Sequence, residues 1–241
     1  MNTGKKKNKK ISVIIAAAGN ASRLGREEVI SKQFLLLDGK PLLFHSIEKF
    51  LALENIIEIV VVTNNVYMTN DLLGKTNYLK NREIKTVDGG ERRQDSVYNG
   101  FLSVDKNTDL VLIHDVARPL VLLSDIKRSI DAGLQYGAAT LASPVVDTIK
   151  LGKYDKDELF VEKTLERNNL YSIQTPQVFA YELLFNTYSF FAGKMPVITD
   201  EASLIEQYGK SVNLVISKGP NLKITYESDL LTTGEVLKNQ V

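Results

Sequence analysis

Two hydrophobic patterns alternate along the chain. Continuous apolar runs rich in β-branched residues occupy positions 11–16, 57–63, 110–114 and 138–142. Such runs read as strands buried on both faces, the habit of a parallel sheet. Stretches with helical spacing lie between them. Positions 41–53 place Leu42, Leu43, Ser46, Ile47, Phe50 and Leu51 on one face, and positions 94–104 do the same with Val97, Phe101 and Val104. Positions 124–136 begin at Ser124, a residue type that caps helix N-termini. Further helices are expected at 66–79, 181–191, from Thr199-Asp200 onward, and at 228–238, with short strands at 84–87, 212–217 and 222–225. Strands alternating with helices predict an α/β fold, a mostly parallel sheet covered on both faces.

One stretch breaks this rhythm. Positions 147–174 alternate polar and apolar residues around a turn-like centre at 152–158. This predicts a β-hairpin leaving the sheet, at about 145–173, either a surface loop or an arm that reaches a partner subunit. Residues 11–241 then form a single domain, preceded by a disordered basic tail at 1–10.

Charge changes the picture. The 241 residues carry 30 Lys and Arg against 29 Asp and Glu, a formal +1. Five of the cations, Lys5, Lys6, Lys7, Lys9 and Lys10, sit in the first ten residues, and without them the net charge is −4. A body of that sign lacks the basic face that displaces counterions, which argues against a nucleic-acid partner. With no Cys, disulfides, thiolate catalysis and Cys-based zinc sites are excluded, and two histidines, His45 and His114, are too few for a His-rich metal site. No apolar run nears the ~20 residues of a membrane helix, so no membrane partner is expected. The lysine tail leads into a motif rather than a signal-peptide core, which makes the cytoplasm the expected address.

Candidate chemistry gathers just after the expected strands, where α/β folds bind ligands. The loop Ala16-Ala17-Ala18-Gly19-Asn20-Ala21-Ser22-Arg23-Leu24-Gly25 is built of small residues. Its free N–H groups suit phosphate oxygens, although it has neither the Walker A lysine nor G-x-G-x-x-G spacing. Arg23 and, further on, Lys32 are cations able to grip phosphate. The same residues also suit an ordinary turn with solvated cations. In Asp88-Gly89-Gly90-Glu91-Arg92-Arg93-Gln94-Asp95-Ser96 the glycine pair allows backbone to approach a planar ligand, and Arg93 could meet an anion. A capped helix start reads the same way. In His114-Asp115-Val116-Ala117-Arg118-Pro119 a carboxylate ends a buried strand, where it could hold Mg²⁺ against phosphates. His114 reads as a packed structural residue, and Arg118 as a phosphate ligand or an ion-pair partner of Asp115. A scattered polar set, Thr148, Arg167, Thr175, Thr199 and Lys223, carries no specific signal residue by residue.

Taken in order, the segments AAAGNASRLG, KQF, GGERRQDSV, HDVARP, PVVDTIK, RNNLYSIQTPQVF, TDEAS and NLKIT make the chain after Lys10 resemble the 2-C-methyl-D-erythritol 4-phosphate cytidylyltransferases of the non-mevalonate isoprenoid pathway. The resemblance implies a Rossmann-like nucleotidyltransferase fold, of the nucleotide-diphospho-sugar transferase kind. It implies a homodimer whose arm helps to build the partner's site, CTP as co-substrate and Mg²⁺. It also implies roles: Ala17, Ala18 and Gly19 against the nucleotide; Gly90, Glu91 and Ser96 at the cytosine; Val116 and Arg118 lining that pocket. Arg23, Lys32 and Lys223 would act catalytically on the phosphates, with Asp115 near the metal. Thr148 and Arg167 on the arm, with Arg93, Thr175 and Thr199, would bind the methylerythritol phosphate. The alternatives are a cytidylyltransferase for a pentitol phosphate such as ribitol 5-phosphate, or a non-catalytic nucleotide-binding protein on the same fold.

Overall fold

The computed structural model describes residues 9–19, 31–76 and 83–239. Arg23 and residues 1–8 of the expected tail lie outside them. The last two residues of that tail are held: Lys9 Nζ lies 2.7 Å from Asp109 Oδ1, and the Lys10 N–H donates to Asp109 Oδ2 at 2.9 Å.

The chain starts with β1 (Ile11–Ala16), then a 3-10 turn at Lys32–Phe34 and a small hairpin, β2 (Leu36–Leu37) with β3 (Lys40–Pro41). Helix α1 (Leu42–Leu51), β4 (Ile56–Thr63), α2 (Val66–Gly74), β5 (Ile84–Asp88), α3 (Arg93–Leu102) and β6 (Leu110–Asp115) follow. After α4 (Leu123–Tyr136) and β7 (Ala138–Pro144) comes a separate hairpin, β8 (Lys150–Asp155) with β9 (Glu158–Thr164). The chain returns through β10 (Tyr171–Ala180), α5 (Tyr181–Phe190), α6 (Glu201–Gln207), β11 (Asn213–Ile216) and α7 (Glu227–Lys238).

Seven of the described strands form one sheet in the order β11-β7-β10-β6-β1-β4-β5. Neighbours run parallel except at β10, which is antiparallel to both β6 and β7. Successive side chains of a strand point to opposite faces, and β1 shows the result. Val13 and Ile15 join one apolar cluster with Leu42, Leu43, Ile47 and Phe50 of α1 and Ile126 of α4. Ile14 joins the other, with Val97 and Phe101 of α3, Leu184 of α5 and Ile205 of α6. Both faces of the sheet are therefore covered, as the uninterrupted apolar runs required. Fully burying one such Leu, Ile or Phe contributes roughly 1.5–3 kcal/mol.

Three expectations change. The far end of the predicted excursion, residues 171–173, instead rejoins the sheet as the start of β10, paired antiparallel with residues 142–144 of β7, and the Gln177-Val178-Phe179 half that follows is buried between β6 and β7. Positions 222–225 pair with no described strand. Ser124 does not cap α4: Leu122 occupies the cap position without a side-chain bond. Caps do occur elsewhere, Asn65 Oδ1 accepting from Met68 N in α2 and Asp200 Oδ1 from Ser203 N in α6.

Candidate active site

The strand order places β1 between β4 and β6, next to the central strand, and Ala16 faces Asp115 in register at their carboxyl ends. A crevice at such a point is where open α/β sheets bind ligands. It holds a cleft of about 360 Å³ lined by Ala18, Gly19, Lys32, Gly90, Glu91, Ser96, Val116 and Lys223, and also by Ala16, Arg92, Arg93, Asp115 and Ala117. Next to it lies a second cleft of about 180 Å³, lined by Arg118, Thr175, Thr199, Gln174, Gln177, Asp200 and Ile173. Arg93, Asp115 and Lys223 line both.

Local chemistry shapes the first cleft. A Cβ on Gly89 would lie 2.5 Å from the Ala18 Cβ, and one on Gly90 would lie 2.5 Å from the Asp95 Cβ. Only glycine lets these loops pass so close. The Gly90 N–H donates to Ser96 Oγ at 3.0 Å, which fastens the loop to the first turn of α3. Asp95 accepts the Arg92 N–H at 3.1 Å and pairs with its guanidinium, closing that helix start.

The junction is an ion-pair network. Asp115 Oδ2 accepts from Lys223 Nζ at 2.7 Å and Oδ1 from Arg93 Nε at 3.1 Å. Arg93 Nη1 reaches both oxygens of Glu201, at 3.2 and 2.9 Å, and Glu201 is fully buried. Burial opposes ionisation of Asp115, but Arg93 and Lys223 outweigh it and hold the carboxyl well below the usual carboxylate range. Burial likewise opposes the charge on Arg93, and the carboxylates of Glu201 and Asp115 reverse the effect and raise its pKa.

His114 is fully buried, and both of its ring nitrogens have hydrogen-bond partners. Burial depresses its pKa to about 4. Its Nε2 lies 3.1 Å from the Arg118 carbonyl, so in the neutral ring that nitrogen carries the proton. Bare Nδ1 then accepts from Thr175 Oγ1 at 3.2 Å, and the same hydroxyl accepts the Asp115 N–H at 3.0 Å. This chain ties β6 to β10 beside the second cleft.

The segment after β11 closes the site. Lys32 is buried, and its Nζ donates to the Ile224 carbonyl at 3.0 Å. The Ile224 N–H donates to Ala117 O at 2.8 Å, and Arg118 Nη1 donates to Asn221 O at 2.7 Å.

Some predicted residues fall elsewhere. Ala17 lies behind the cleft wall, fully buried, its N–H bonded to Val62 O at 2.8 Å. Arg118 lines the second cleft, not the first as the nucleotide role implied. Thr148 and Arg167 line neither cleft; Arg167 donates to Val146 O at the base of the arm. Arg23 is outside the described residues. Sequence reasoning assigned no role to Glu201, Gln177 or Asn221. Gln177 Nε2 donates to Asp200 Oδ2 at 2.8 Å, and its Oε1 accepts from the Ala202 N–H at 3.2 Å. The TDEAS, QTPQ and NLKIT strings contain these residues, but only the folded chain shows what they touch.

A mostly parallel sheet with a small-residue loop, paired glycines and converging cations at the carboxyl ends of its strands is an α/β enzyme of the nucleotidyltransferase class. The chain belongs to the family described as IspD: 2-C-methyl-D-erythritol 4-phosphate cytidylyltransferase, whose model matches residues 11–239. It is 41% identical over 231 residues to the enzyme of that name from Clostridium botulinum, covering 95% of this chain and 98% of the relative. It is 38% identical to the one from Pelotomaculum thermopropionicum, covering 95% and 94%. Among solved structures, 4-diphosphocytidyl-2C-methyl-D-erythritol synthase from Anaerococcus prevotii superposes with a TM-score of 0.80 at 28% identity, covering 96% of this chain and all of the other. The Francisella tularensis 2-C-methyl-D-erythritol 4-phosphate cytidylyltransferase gives 0.75 at 30% identity, with the same coverage.

Proposed function

We propose that this protein transfers the cytidylyl group from CTP to 2-C-methyl-D-erythritol 4-phosphate, forming 4-diphosphocytidyl-2-C-methyl-D-erythritol and releasing pyrophosphate. The observation that carries the reading is the pair of clefts joined at Arg93, Asp115 and Lys223. The larger suits the nucleotide and the smaller the acceptor, so the shared cations stand where the two phosphates meet.

The acceptor's phosphate is already anionic near neutral pH, so the attacking oxygen needs no general base. That agrees with a neutral, fully hydrogen-bonded His114. The task is to bring two anions together and to stabilise charge on the transferring phosphoryl group. Two unit charges 4 Å apart repel by about 1 kcal/mol in water and about 4 kcal/mol at an effective dielectric of 20. Lys32, Lys223 and Arg23 offset that repulsion along the triphosphate. Arg93, Thr175 and Thr199, joined by Arg118, hold the acceptor for in-line attack on the α-phosphorus.

Mg²⁺ belongs to the same proposal. Among the described residues no group of three or more His, Cys, Asp or Glu could hold a metal. Asp115 fits as a single protein ligand, because Mg²⁺ takes one or two carboxylates and completes its shell with phosphate oxygens and water. When bound, the ion neutralises charge on the triphosphate.

The reading extends to a cytoplasmic homodimer of one nucleotidyltransferase domain with a dimerisation arm at 145–173. Two observations support the dimer. The β8–β9 hairpin exposes apolar side chains, Phe160 at 52% and Val161 at 63%. Thr148 and Arg167 stand at the arm, away from both clefts of their own chain. A chain without cysteine needs no oxidising compartment, which supports the cytoplasm; no described helix is long and apolar enough to cross a membrane.

One assay tests the activity: pyrophosphate release from CTP with methylerythritol phosphate, with ribitol 5-phosphate, and with no acceptor. Release with the first only is expected. Preference for ribitol phosphate, or no release in any arm, would overturn the reading.

A further inference from the structure

We propose that Asn221 is a positioning residue for this transfer, an inference that rests on the reading above. Its carboxamide sets the place of the segment that carries Lys223. That segment, 217–225, leaves β11 and forms no strand; Lys223 within it lines both clefts, and beyond the Ser217 N–H bond to Ala142 O no ladder of backbone bonds fixes its path. Point contacts must do so. At its start the Ser217 hydroxyl and the Lys218 N–H donate to Asp125 Oδ2, each at 3.0 Å. At its middle Asn221 is 4% exposed, and its Nδ2 donates to Gln174 Oε1 at 3.0 Å and to the Thr175 carbonyl at 2.8 Å. A carboxamide has two N–H donors, and both are engaged here.

Those partners define what Asn221 controls. Gln174 and Thr175 belong to β10 and line the second cleft, as does Arg118, which donates to the Asn221 backbone carbonyl. Two residues further on, Lys223 meets Asp115 at the junction, and Ile224 accepts from Lys32. Asn221 therefore couples the wall of the acceptor cleft to the position of Lys223. It lines neither cleft itself and acts through these neighbours. The nucleotide-side contacts, Ala18, Gly90 and Ser96, lie on other elements and do not touch it.

Substitution gives a selective kinetic signature. In Asn221→Asp the volume is kept, but a carboxylate replaces two donors and faces two oxygen acceptors. Asn221→Ala removes the tie without adding charge. Both variants are expected to lower kcat about tenfold or more and to raise KM for the acceptor phosphate severalfold, with a smaller rise in KM for CTP, because the tie itself is to the acceptor-cleft residues Gln174 and Thr175. A control separates this from general loosening. Glu58 is buried at the opposite end of the sheet, where it accepts from Ser12 Oγ, the Asp105 N–H and Lys85 Nζ. Glu58→Gln should lower Tm and leave all three constants unchanged. Asn221 variants with unchanged kcat and acceptor KM would overturn the proposal, as would equal changes in both KM values or the same changes in Glu58→Gln. Absence of wild-type turnover would overturn the functional reading, and this inference with it; an active wild type with unaffected Asn221 variants would overturn this inference only.

Discussion

Lys223 Nζ lies 2.7 Å from Asp115 Oδ2 at the point where the two clefts meet. Arg93 holds the other oxygen of the same carboxylate. Asp115 is nearly buried while Lys223 remains 41% exposed, so the carboxylate anchors a cation whose head group still faces the cavity. An anchored charge needs little reorganisation when negative charge develops on a transferring phosphoryl group.

Lys223→Ala should therefore act on chemistry more than on folding. A drop in kcat of roughly a hundredfold or more is expected, the scale found when a preorganised donor is removed from a transition state. The thermal midpoint should move little, because the lysine is partly exposed. Steady-state pyrophosphate release beside a melting curve checks both, and near-wild-type turnover would remove Lys223 from its role.

Gly90→Ala tests the nucleotide wall. The added Cβ would fall 2.5 Å from the Asp95 Cβ, which is backbone-anchored and cannot swing aside. The loop must shift, and the Gly90 N–H loses its alignment on Ser96 Oγ. We expect weaker CTP binding by calorimetry and a raised KM for CTP, with KM for the acceptor unchanged. A variant that binds CTP as wild type does would show that this loop lies outside the nucleotide site.

His114 makes stability pH-dependent in a defined window. The unfolded imidazole takes up its proton near pH 6.5, whereas burial delays uptake in the folded protein to about pH 4. Between those values the unfolded state binds more protons, so stability falls as pH is lowered, and the full effect is about 3 kcal/mol. Asp115 stays ionised throughout this window, since its pKa is held below the usual range. Urea midpoints at pH 7, 5.5 and 4 should decline in wild type and decline less in His114→Gln. Equal slopes in the two proteins would show that His114 is not the responsible group.

Subunit mixing tests the arm. Arg167→Ala and Lys32→Ala proteins should each be nearly inactive, and co-refolded mixtures should recover part of the activity. One site of each mixed dimer would then combine an intact cleft with an intact arm from the other chain. Native mass spectrometry would verify mixed dimers, and no recovery in them would count against a shared site.

Much of the architecture was legible in the residue pattern. The runs at 11–16, 57–63 and 110–114 became β1, β4 and β6 because uninterrupted apolar strands must be covered on both faces. The face of α1 carrying Leu43, Ile47 and Phe50 was read from spacing and is buried as expected. The place of Asp115 at the end of a buried strand was legible, since position in an α/β sheet locates the crevice, and the folded chain puts it on the wall of both clefts. Strand β10 was missed: its Tyr171-Ser172-Ile173 half is exposed or nearly so and its other half buried, so no single periodicity runs through it. Positions 222–225 look like a strand because Leu222 and Ile224 alternate with polar residues, yet that segment is held by Ala117, Arg118 and Lys32 instead.

The sequence by itself determined the α/β class, the order of the motifs, the family they belong to, and the residue types able to bind phosphate. Those properties depend on local spacing and side-chain chemistry, which a linear string contains. Only the tertiary structure decided which of those residues meet. Glu201 found Arg93, Asn221 found Gln174 and Thr175, and Lys223 found Asp115 across about a hundred or, for Asn221, nearly fifty positions. Such pairings follow from the order and direction of strands in the sheet and from the path of the closing segment. Burial then sets their electrostatics, because one carboxylate buried between two cations behaves unlike the same residue in water.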